Sequence, residues 1–419
     1  MNTALPASLE TDVAIVGGGM VGASLAAALA GTGVRVLLVE AVPFGASAQP
    51  SFDDRTTALG NASRRIFEGL GVWQDMAAEA AAIRAIHVSD AGRFGNAHLV
   101  AAEQGVDALG YVVPNRRIGA ALWARLAGAA GLTLRVPGQV EGVGIDAAGV
   151  RFTLVSERGR EAVAARLVVA ADGANSLVRA AAGIAATLED YDQVAVVANV
   201  ASDTPHAGNA YERFTRTGPL AVLPLADGTL SVIWACRSAD APAVLALDDA
   251  AWLAALQARF GWRAGRFVRA GRRGSYPLKL SRAAAAIAPR TVLIGNAAQA
   301  LHPVAGQGFN LGLRDAAMLA EVLANASGDP GEPELLERFA AWRAADRGGV
   351  LRFTDSLVKL FGDSRPGVGL LRNLGLLAFD LAPPAKSALA RVSLGFGGPS
   401  PRLARGLAVR RAHPGARDV

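Results

Sequence analysis

The first 40 residues contain the pattern that most restricts the fold of this chain. An apolar strand over Asp12–Val16 leads into the glycine loop Gly17–Gly22, an Ala/Leu-rich helix to about residue 30, and a second strand ending at Glu40. The G-x-G-x-x-G spacing therefore stands between a strand and a helix, with an acidic residue at the end of the next strand. This order of elements predicts a dinucleotide-binding βαβ unit.

The glycines of this loop have separate roles in such a unit. Gly17 permits the tight turn, Gly19 lets the backbone approach a pyrophosphate, and Gly22 allows close helix–strand packing. Glu40 can accept hydrogen bonds from ribose hydroxyls, and its charge would repel a 2′-phosphate. We therefore expect the adenosine half of NAD or FAD at this loop, and not that of NADP.

Two later segments show the same order of strand, turn and helix. Arg166–Arg179 has Asp172 at its turn, and Asn175 or Ser176 can cap the helix that follows. Leu293–Asp315 crosses a glycine-rich loop before it enters a helix, so backbone N–H groups and a positive helix end face whatever binds there. The three loops are expected to point at one place.

The segment after Glu40 favours FAD over NAD. A dehydrogenase would usually continue with further βα units, whereas here a loop over Ala41–Asp54 leads to Arg55–Leu59 and a helical stretch over Asn61–Leu70. From about Asp12 to Phe396 the chain resembles the class A flavoprotein aromatic hydroxylases of the p-hydroxybenzoate hydroxylase fold, and more closely the ubiquinone-biosynthesis hydroxylases. The motifs that carry the resemblance are Gly17–Gly22 with Glu40, Asp53–Leu59, Ala171–Ser176, Gly295–Gln299 and His302–Asn310.

The resemblance and the strand pattern together imply an α/β fold. We expect a Rossmann-like FAD-binding domain of the glutathione-reductase type over residues 1–183 and 277–330. An inserted antiparallel-sheet substrate domain would occupy 184–276, and a helical C-terminal region with a basic tail 331–419. The inserted sheet is also predicted from β-rich runs over 194–200, 220–225 and 229–235, and a long helical region from the pattern over 332–360.

The resemblance further implies FAD as cofactor, NAD(P)H as co-substrate, and roles at matching positions. The Gly17 loop and Glu40 would hold the ADP half of FAD, Arg55 would lie near the flavin, and Pro303–Asn310 would line the isoalloxazine ring. The expected cofactor-binding residues are Gly17, Gly19, Met20, Val21, Gly22, Glu40, Arg55, Asn115, Asp172, Gly173, Gly295, Asn296, Pro303, Gly306, Gln307, Gly308, Phe309 and Asn310. The expected catalytic residues are His302, Pro303, Gly306 and Gln307.

At the ribityl position the chain departs from the wider family, which usually has Asp there and often His three residues later. Asn296 and Gln299 stand at these positions. An amide can still hydrogen-bond a ribityl hydroxyl, so FAD binding is retained in the prediction. The Asn/Gln form resembles the branch that acts on 2-polyprenyl-6-methoxyphenol.

The implied chemistry is hydroxylation of a polyprenylated phenol with O2. NAD(P)H would reduce FAD, and a flavin C4a-hydroperoxide would transfer oxygen to the ring, while backbone N–H groups around Gly306–Gly308 stabilise the anionic reduced flavin. No metal is expected, since the five histidines show no metal spacing. Without the resemblance, His302 would be read as a structural histidine.

Two alternatives stay open: a flavin hydroxylase of a soluble aromatic compound, and a flavin-binding assembly subunit with little activity.

The substrate contacts are less well specified by the sequence. Phe214, Leu223, Pro224 and Trp234 could touch an apolar substrate, although core packing is the commoner role of such residues. Cys236, the single cysteine, is expected to be a buried small apolar residue. No residue could be assigned to deprotonation of the phenol.

The charge is concentrated in the C-terminal tail. From Ser364 onward there are nine Lys/Arg against two Asp, which gives +7, so the preceding residues sum to 6 − 7 = −1. A basic, apolar tail can lie on an anionic membrane, and a solvated helical extension is the equally weighted alternative. We expect a cytoplasmic protein with no transmembrane helix, with peripheral contact on the inner face of the cytoplasmic membrane or a ubiquinone-synthesis complex as candidate partners. Nucleic acid is not expected, because the charge lacks interleaved stacking aromatics.

Overall fold

The computed structural model describes most of the chain. The described residues are 9–46, 55–301, 306–344, 347–348, 368–382, 384, 386–388, 390, 394–395 and 400–410. The predicted site residues His302 and Pro303 lie outside them, as do Asp53, Asp54 and much of the basic tail. Of the predicted helical region 332–360, residues 332–344 and 347–348 are described, and all of these except residue 332 are helical.

Twenty strands belong to the described part of the chain. In order they are β1 (Leu9–Val16), β2 (Val36–Val39), β3 (Thr56–Gly60), β4 (Ala81–Ile83), β5 (Ala85–Asp90), β6 (Asn96–Val100), β7 (Gly110–Pro114), β8 (Leu132–Arg135), β9 (Gly138–Ile145), β10 (Val150–Ser156), β11 (Gly159–Ala170), β12 (Ala186–Ser202), β13 (Asn209–Thr215), β14 (Gly218–Pro224), β15 (Leu230–Arg237), β16 (Phe267–Ala270), β17 (Gly274–Ala283), β18 (Ile287–Ala288), β19 (Thr291–Leu293) and β20 (Gln299–Ala300).

In addition to the helical residues 384, 386–388 and 390, ten α-helices lie between and after these strands in the described residues. They are α1 (Met20–Leu29), α2 (Asn61–Gly69), α3 (Trp73–Ala77), α4 (Asn115–Leu126), α5 (Leu177–Ala181), α6 (Ala241–Ala246), α7 (Asp249–Phe260), α8 (Gln307–Ala324), α9 (333–344) and α10 (Val368–Asp380). Short 3₁₀ turns cover Ala102–Gln104, Gly295–Ala297 and Leu403–Arg405. None of the described helices is both long enough and apolar enough to cross a bilayer.

The first sheet has the strand order β18-β19-β11-β1-β2-β8. Strands β19, β11, β1, β2 and β8 run parallel, and β9 and β10 extend β11 as an antiparallel ribbon. Residues such as Val13, Leu38 and Leu167 are fully buried on one face, where α1 and α8 cover the sheet. A parallel sheet must be covered in this way because its strands are connected by helices that cross its faces. The predicted α/β class with a Rossmann-like unit is confirmed.

The second sheet has the strand order β20-β17-β12-β15-β14-β13-β5-β6, with β16 beside β12. The β-rich runs predicted as strands are all in it, and β12 is much longer than its predicted core over 194–200. The sheet is antiparallel except where β13 runs parallel to β5. Strands β5 and β6 come from residues 85–100, before the predicted insert. The sheet is therefore not confined to residues 184–276, and the proposed domain boundaries stay a prediction.

A small third sheet, β3-β7-β4, is separate from the two larger ones and packs against β14 of the second sheet and against α8. The hydroxyl of Thr56 on β3 donates to Ser231 Oγ on β15 at 3.1 Å. At the other edge, α10 packs along β6, where Asp380 accepts a hydrogen bond from the His98 backbone N–H at 2.8 Å. The first of these contacts joins the segment after Glu40 to the second sheet.

Candidate functional site

The loops that follow β1, β11 and β19 meet at the carboxyl end of the first sheet. Ala171 N donates to Val16 O at 2.8 Å, and Ile294 N donates to Ala170 O at 3.0 Å, so the three strand ends are directly bonded. In open α/β sheets, ligands bind in the crevice outside the carboxyl ends of the strands. The sequence prediction that three loops point at one place is therefore matched by the geometry.

One cavity of about 2070 Å³ extends from these loops to the inner face of the second sheet. Pockets for one small molecule usually have about 300–1,000 Å³. The cavity therefore has room for a dinucleotide and a second ligand together. Of the predicted site residues within the described chain, Gly22 is the one that does not line it, since it packs beneath the loop.

The glycine loop is closely packed against its neighbours. Gly17 has φ +103°, and a Cβ there would lie 2.4 Å from Ala171 O. A Cβ on Gly22 would lie 1.9 Å from Gly17 O. Side chains at these two positions would push α1 away from the strand ends, so the loop needs glycine to keep its N–H groups at the cavity.

Glu40 lies at the end of β2 beside this loop. Its carboxylate accepts hydrogen bonds from Gly18 N at 2.5 Å and from Val42 N at 2.8 Å. A Cβ on Gly18 would lie 2.8 Å from Glu40 Cβ, which shows how tightly the loop and the acid fit together. The carboxylate is thus held in one orientation at the cavity wall.

Asp172 occupies the turn after β11. One carboxylate oxygen, Oδ2, accepts a hydrogen bond from Leu177 N at 2.8 Å, while Oδ1 is buried with no partner among the described residues. Gly173 has φ +85° and Ser176 caps α5 by accepting from Arg179 N at 2.9 Å. Of the two caps that the sequence allowed, Ser176 is the one used. A buried acceptor without a partner indicates room for a ligand donor.

The turn after β19 presents Asn296 to the cavity. Asn296 is exposed and lines the cavity, whereas Gln299 is 2% exposed and does not line it. Both amide atoms of Gln299 lack hydrogen-bond partners among the residues that the structure describes. The two substitutions that set this chain apart from the wider family therefore occupy different environments.

Asp315, a residue absent from the sequence-based site, fixes this turn to α8. It is fully buried, and its Oδ2 accepts from Gly295 N at 3.0 Å. Its Oδ1 pairs with Arg343 Nε of α9, and Arg343 is 1% exposed. Arg347 approaches the same oxygen at 3.6 Å. Asp315 belongs to the glycine-rich segment noted in the sequence. Its pairing with Arg343 could not be predicted from that segment, because Arg343 is 28 residues later in the chain.

The glycine-rich loop before α8 is held by Asn310. Its side-chain oxygen accepts from Gly60 N at 2.9 Å and from Ser63 Oγ at 2.6 Å, and its NH₂ donates to Ala58 O and Gly306 O. Gly306 has φ +59° and precedes the first turn of α8. Asn310 therefore positions the loop, and its amide is already engaged within the protein.

Two more predicted residues lie on the opposite wall. The Arg55 guanidinium stacks over the Tyr276 ring at 4.3 Å, and both residues line the cavity. Asn115 is 5% exposed, and its side-chain oxygen accepts from Thr57 Oγ1 at 2.7 Å. Both residues are therefore at the cavity, next to the strand that follows the N-terminal βαβ unit.

The four apolar residues considered as substrate contacts separate into two groups. Phe214 and Leu223 line the cavity. Trp234 and Pro224 do not; Trp234 packs on Trp252 in the core behind the sheet, with ring centroids 6.1 Å apart. The alternation of a strand places successive side chains on opposite faces, which explains the difference. Cys236 is buried, as predicted.

The donor set at the loops fits FAD. The glycine loop offers N–H groups without side chains in the way, Glu40 offers an acceptor, and Asp172 Oδ1 is a buried acceptor with no partner among the described residues. The first turn of α8 offers further N–H groups whose positive end suits a negative charge. The cavity size also exceeds what a nucleotide alone would require.

Residues 10–354 match the family model described as "FAD binding domain". The chain is 39% identical over 403 residues to "Ubiquinone hydroxylase UbiL" of Rhodospirillum rubrum, covering 94% of this chain and 93% of that protein. It is 35% identical to the "3-demethoxyubiquinol 3-hydroxylase" of Escherichia coli (strain K12), covering 92% and 99%.

Among solved structures, the p-nitrophenol 4-monooxygenase PnpA of Pseudomonas putida DLL-E4 superposes with a TM-score of 0.76 at 20% identity, covering 94% of this chain and 99% of that one. At this identity the likeness concerns the fold alone. The matches confirm FAD as cofactor, NAD(P)H as the usual co-substrate and a monooxygenase activity. The chain belongs to the FAD-binding-domain family of flavin monooxygenases, in the group that contains the ubiquinone hydroxylases.

Proposed function

We propose that this protein hydroxylates the aromatic ring of a polyprenylated phenol in ubiquinone biosynthesis. The observation that carries the proposal is the continuous cavity that joins the nucleotide-binding loops to a largely apolar sheet face. The names of relatives at 39% and 35% identity support the choice of substrate class. The resemblance at Asn296 and Gln299 favours a 2-polyprenyl-6-methoxyphenol within that class.

In this proposal the predicted loop residues bind FAD. The Gly17–Gly22 loop and Glu40 hold the adenosine half, while Asp172 and Asn296 contact the centre of the cofactor. Backbone N–H groups of Gly306–Gly308 face the part of the flavin that becomes negative on reduction, because the first turn of a helix leaves its N–H groups without internal partners. Bound FAD supplies hydride acceptance from NAD(P)H and the activation of O2. His302 and Pro303 stay predicted contributors.

The inner face of the second sheet is proposed to bind the phenol and its isoprenoid tail. The cavity wall there is formed by apolar side chains on neighbouring strands: Ile86, Val88, Leu99, Phe214, Leu223 and Ile233. Burying apolar surface is favourable by about 25 cal/mol per Å². The same side chains keep water away from the ring, which protects a reactive oxygen donor from hydrolysis.

Deletion of the gene tests the proposed pathway step. We expect a quinone precursor that lacks one ring hydroxyl to accumulate in the deletion strain, and the wild-type gene to restore ubiquinone. Extraction and mass spectrometry of the lipid quinones give the readout. Unchanged ubiquinone with no accumulated precursor would contradict the proposal and favour a soluble aromatic substrate. Restoration by a variant that binds no FAD would favour the assembly-subunit alternative.

Peripheral contact with an anionic membrane forms part of the same proposal. Helix α10 lies at the edge of the cavity, which its residues Leu376 and Phe379 help to line. Leu374 and Leu377 on this helix are 48% and 43% exposed, and Leu381, directly after it, is 74% exposed. A helix with an apolar outer side next to basic segments can lie in the membrane interface.

Liposome flotation tests this contact with the triple variant Leu374→Ser/Leu377→Ser/Leu381→Ser. Because each leucine contributes roughly 1.5–3 kcal/mol on burial, we expect the triple variant to lose binding to anionic vesicles at least about tenfold. Trp262→Ser is the matched control, since Trp262 is 70% exposed on a different part of the surface. Equal flotation of the triple variant and the wild type would refute the contact.

A further inference from the structure

The apolar wall of the cavity contains one carboxylate at the centre of β13. Glu212 alternates with Tyr211 and Arg213, and it shares its face with Ala210 and Phe214. Its cross-strand neighbours are Val88 on β5 and Ala221 on β14. A carboxylate is an unexpected residue in the middle of an apolar sheet face, because its burial is costly unless something compensates it.

No described residue compensates Glu212. Neither a hydrogen bond nor an ion pair joins its carboxylate to any residue that the structure describes. Burial raises the pKa of Glu212 from 4.5 to about 7. Glu212 is half-buried and lines the cavity. A carboxylate without a protein partner that faces a ligand cavity is placed to interact with the ligand.

The other charged groups near this wall are engaged elsewhere. Asp90, at the end of β5, accepts from Asn373 Nδ2 of α10 at 3.1 Å. On β6, His98 is on the opposite face, where its ring lies against His87, and α10 contributes Asp380, which binds the His98 backbone and Lys386.

On β13 itself, the Tyr211 hydroxyl donates to Arg263 O and the Arg213 guanidinium donates to Arg259 O, while β14 and β4 contribute no charged side chain. Asp227, in the turn before β15, is bound by Thr229. Among the described residues of this wall, Glu212 is therefore the carboxylate that lines the cavity without a hydrogen-bond or ion-pair partner.

The distance from Glu212 on β13 to the contact between Ser231 and Thr56 suits one ring-sized ligand. Strand β13 is separated from β15 by β14, and neighbouring strands are about 4.8 Å apart, so the two strands are roughly 10 Å apart. On β15, Ser231 is bound by Thr56, the residue next to Arg55. The cavity is continuous from Glu212 to Gly306, so one ligand can reach both walls.

We propose that Glu212 is the general base that accepts the phenolic proton of the substrate. The inference rests on the proposed function, since it requires a phenol in this cavity. In the step, the phenol O–H bond breaks, its electron pair stays on the phenol oxygen, and the proton forms an O–H bond with the Glu212 carboxylate. The products are a phenolate and a neutral carboxylic acid, which then gives the proton to water. The phenolate ring is more electron-rich and accepts an electrophilic oxygen more readily.

The raised pKa suits this role. A phenol has a pKa near 10 and an ordinary glutamate a pKa near 4.5, so a glutamate with a pKa of about 7 is a stronger base that is still half ionised near neutral pH. Glu212 must be ionised to accept the proton. The rate should therefore rise with pH through about 7 and level off above it.

The experiment compares wild type with Glu212→Gln and Glu212→Asp, with 2-geranylphenol in detergent micelles as the probe. Two readouts are taken over a pH series: the ultraviolet difference spectrum of bound phenolate, and the rate of hydroxylated product. Glu212→Gln should lose the phenolate signal and about 10²–10⁴ of kcat/KM, together with the rising limb of its pH profile. Glu212→Asp should keep the rising limb at a lower rate. Glu189→Gln is the matched control, since Glu189 is an exposed glutamate on β12.

Flavin absorbance and thermal unfolding establish that each variant is folded and loaded. A Glu212→Gln protein with the wild-type pH profile and phenolate signal would overturn the inference. If that variant does not fold, the wild type decides, because a flat kcat/KM between about pH 6 and pH 8 would equally overturn it. Failure of the proposed function looks different: the wild type would bind and deprotonate the phenol without forming hydroxylated product.

Discussion

Replacing Gly22 by alanine should yield a folded protein that has lost the yellow flavin. A Cβ at this position would lie 1.9 Å from Gly17 O and 3.0 Å from the Ala171 side chain. The first contact is with backbone, which cannot rotate away as a flexible side chain could. Helix α1 must therefore move from the strand ends, and the loop N–H groups move with it. We expect FAD affinity to fall by about 100-fold or more, which corresponds to about 2.8 kcal/mol.

Flavin absorbance of the purified variant, before and after addition of FAD, measures this effect. Gly144→Ala is the matched control, because the nearest atom to its added Cβ is Arg151 O at 3.9 Å, an ordinary contact. Circular dichroism should show the same secondary structure in both variants. Full flavin content in Gly22→Ala would show that the loop does not bind the cofactor in the way proposed.

Replacing Asp315 by asparagine should cause the largest loss of stability from a single polar substitution. The change removes the negative charge that faces Arg343, whose side chain is almost completely buried. Leaving one charge of a buried pair without its partner typically costs 3–5 kcal/mol. The turn at Gly295 also loses its charged acceptor. Urea unfolding should report a decrease of about 3 kcal/mol or more in the free energy of unfolding.

Two further variants separate the buried pair from a general effect of charge. Glu141→Gln removes an exposed pair with Arg160, where the side chains are 50% and 60% exposed, and should change stability by less than about 1 kcal/mol. The double variant Asp315→Leu/Arg343→Met should be more stable than Asp315→Asn, because it removes the almost completely buried Arg343 charge together with the acid, and leaves only Arg347, whose side chain is 16% exposed. An Asp315→Asn protein as stable as wild type would contradict the structural role given to the pair.

The nucleotide-binding half of the fold was predictable because its signals are local. The strand before Gly17, the helix after Gly22 and the acid at Glu40 are adjacent in sequence, and parallel pairing of such units follows from their connections. The same holds for the turn at Asp172. Each of these segments lies in the first sheet as the sequence predicts.

The second sheet was less predictable because its pairings are non-local. Nothing within β5 indicates that it will pair with β13, which is more than a hundred residues later. The importance of Glu212 depends on that pairing, since the cross-strand neighbours make its surroundings apolar. Asp315 is similar: the sequence shows the acid, but only the packing of α9 shows the buried arginine that it holds.

The most direct test of the central claim is ring hydroxylation by the purified protein with FAD, NAD(P)H, a 2-polyprenylphenol and isotopically labelled O2. The account predicts a yellow protein and, by mass spectrometry, a product that carries one labelled oxygen atom on the ring for each NAD(P)H oxidised. A protein that stays colourless with added FAD would contradict it. So would a flavin-loaded protein whose substrate-dependent NAD(P)H oxidation yields hydrogen peroxide and no hydroxylated phenol.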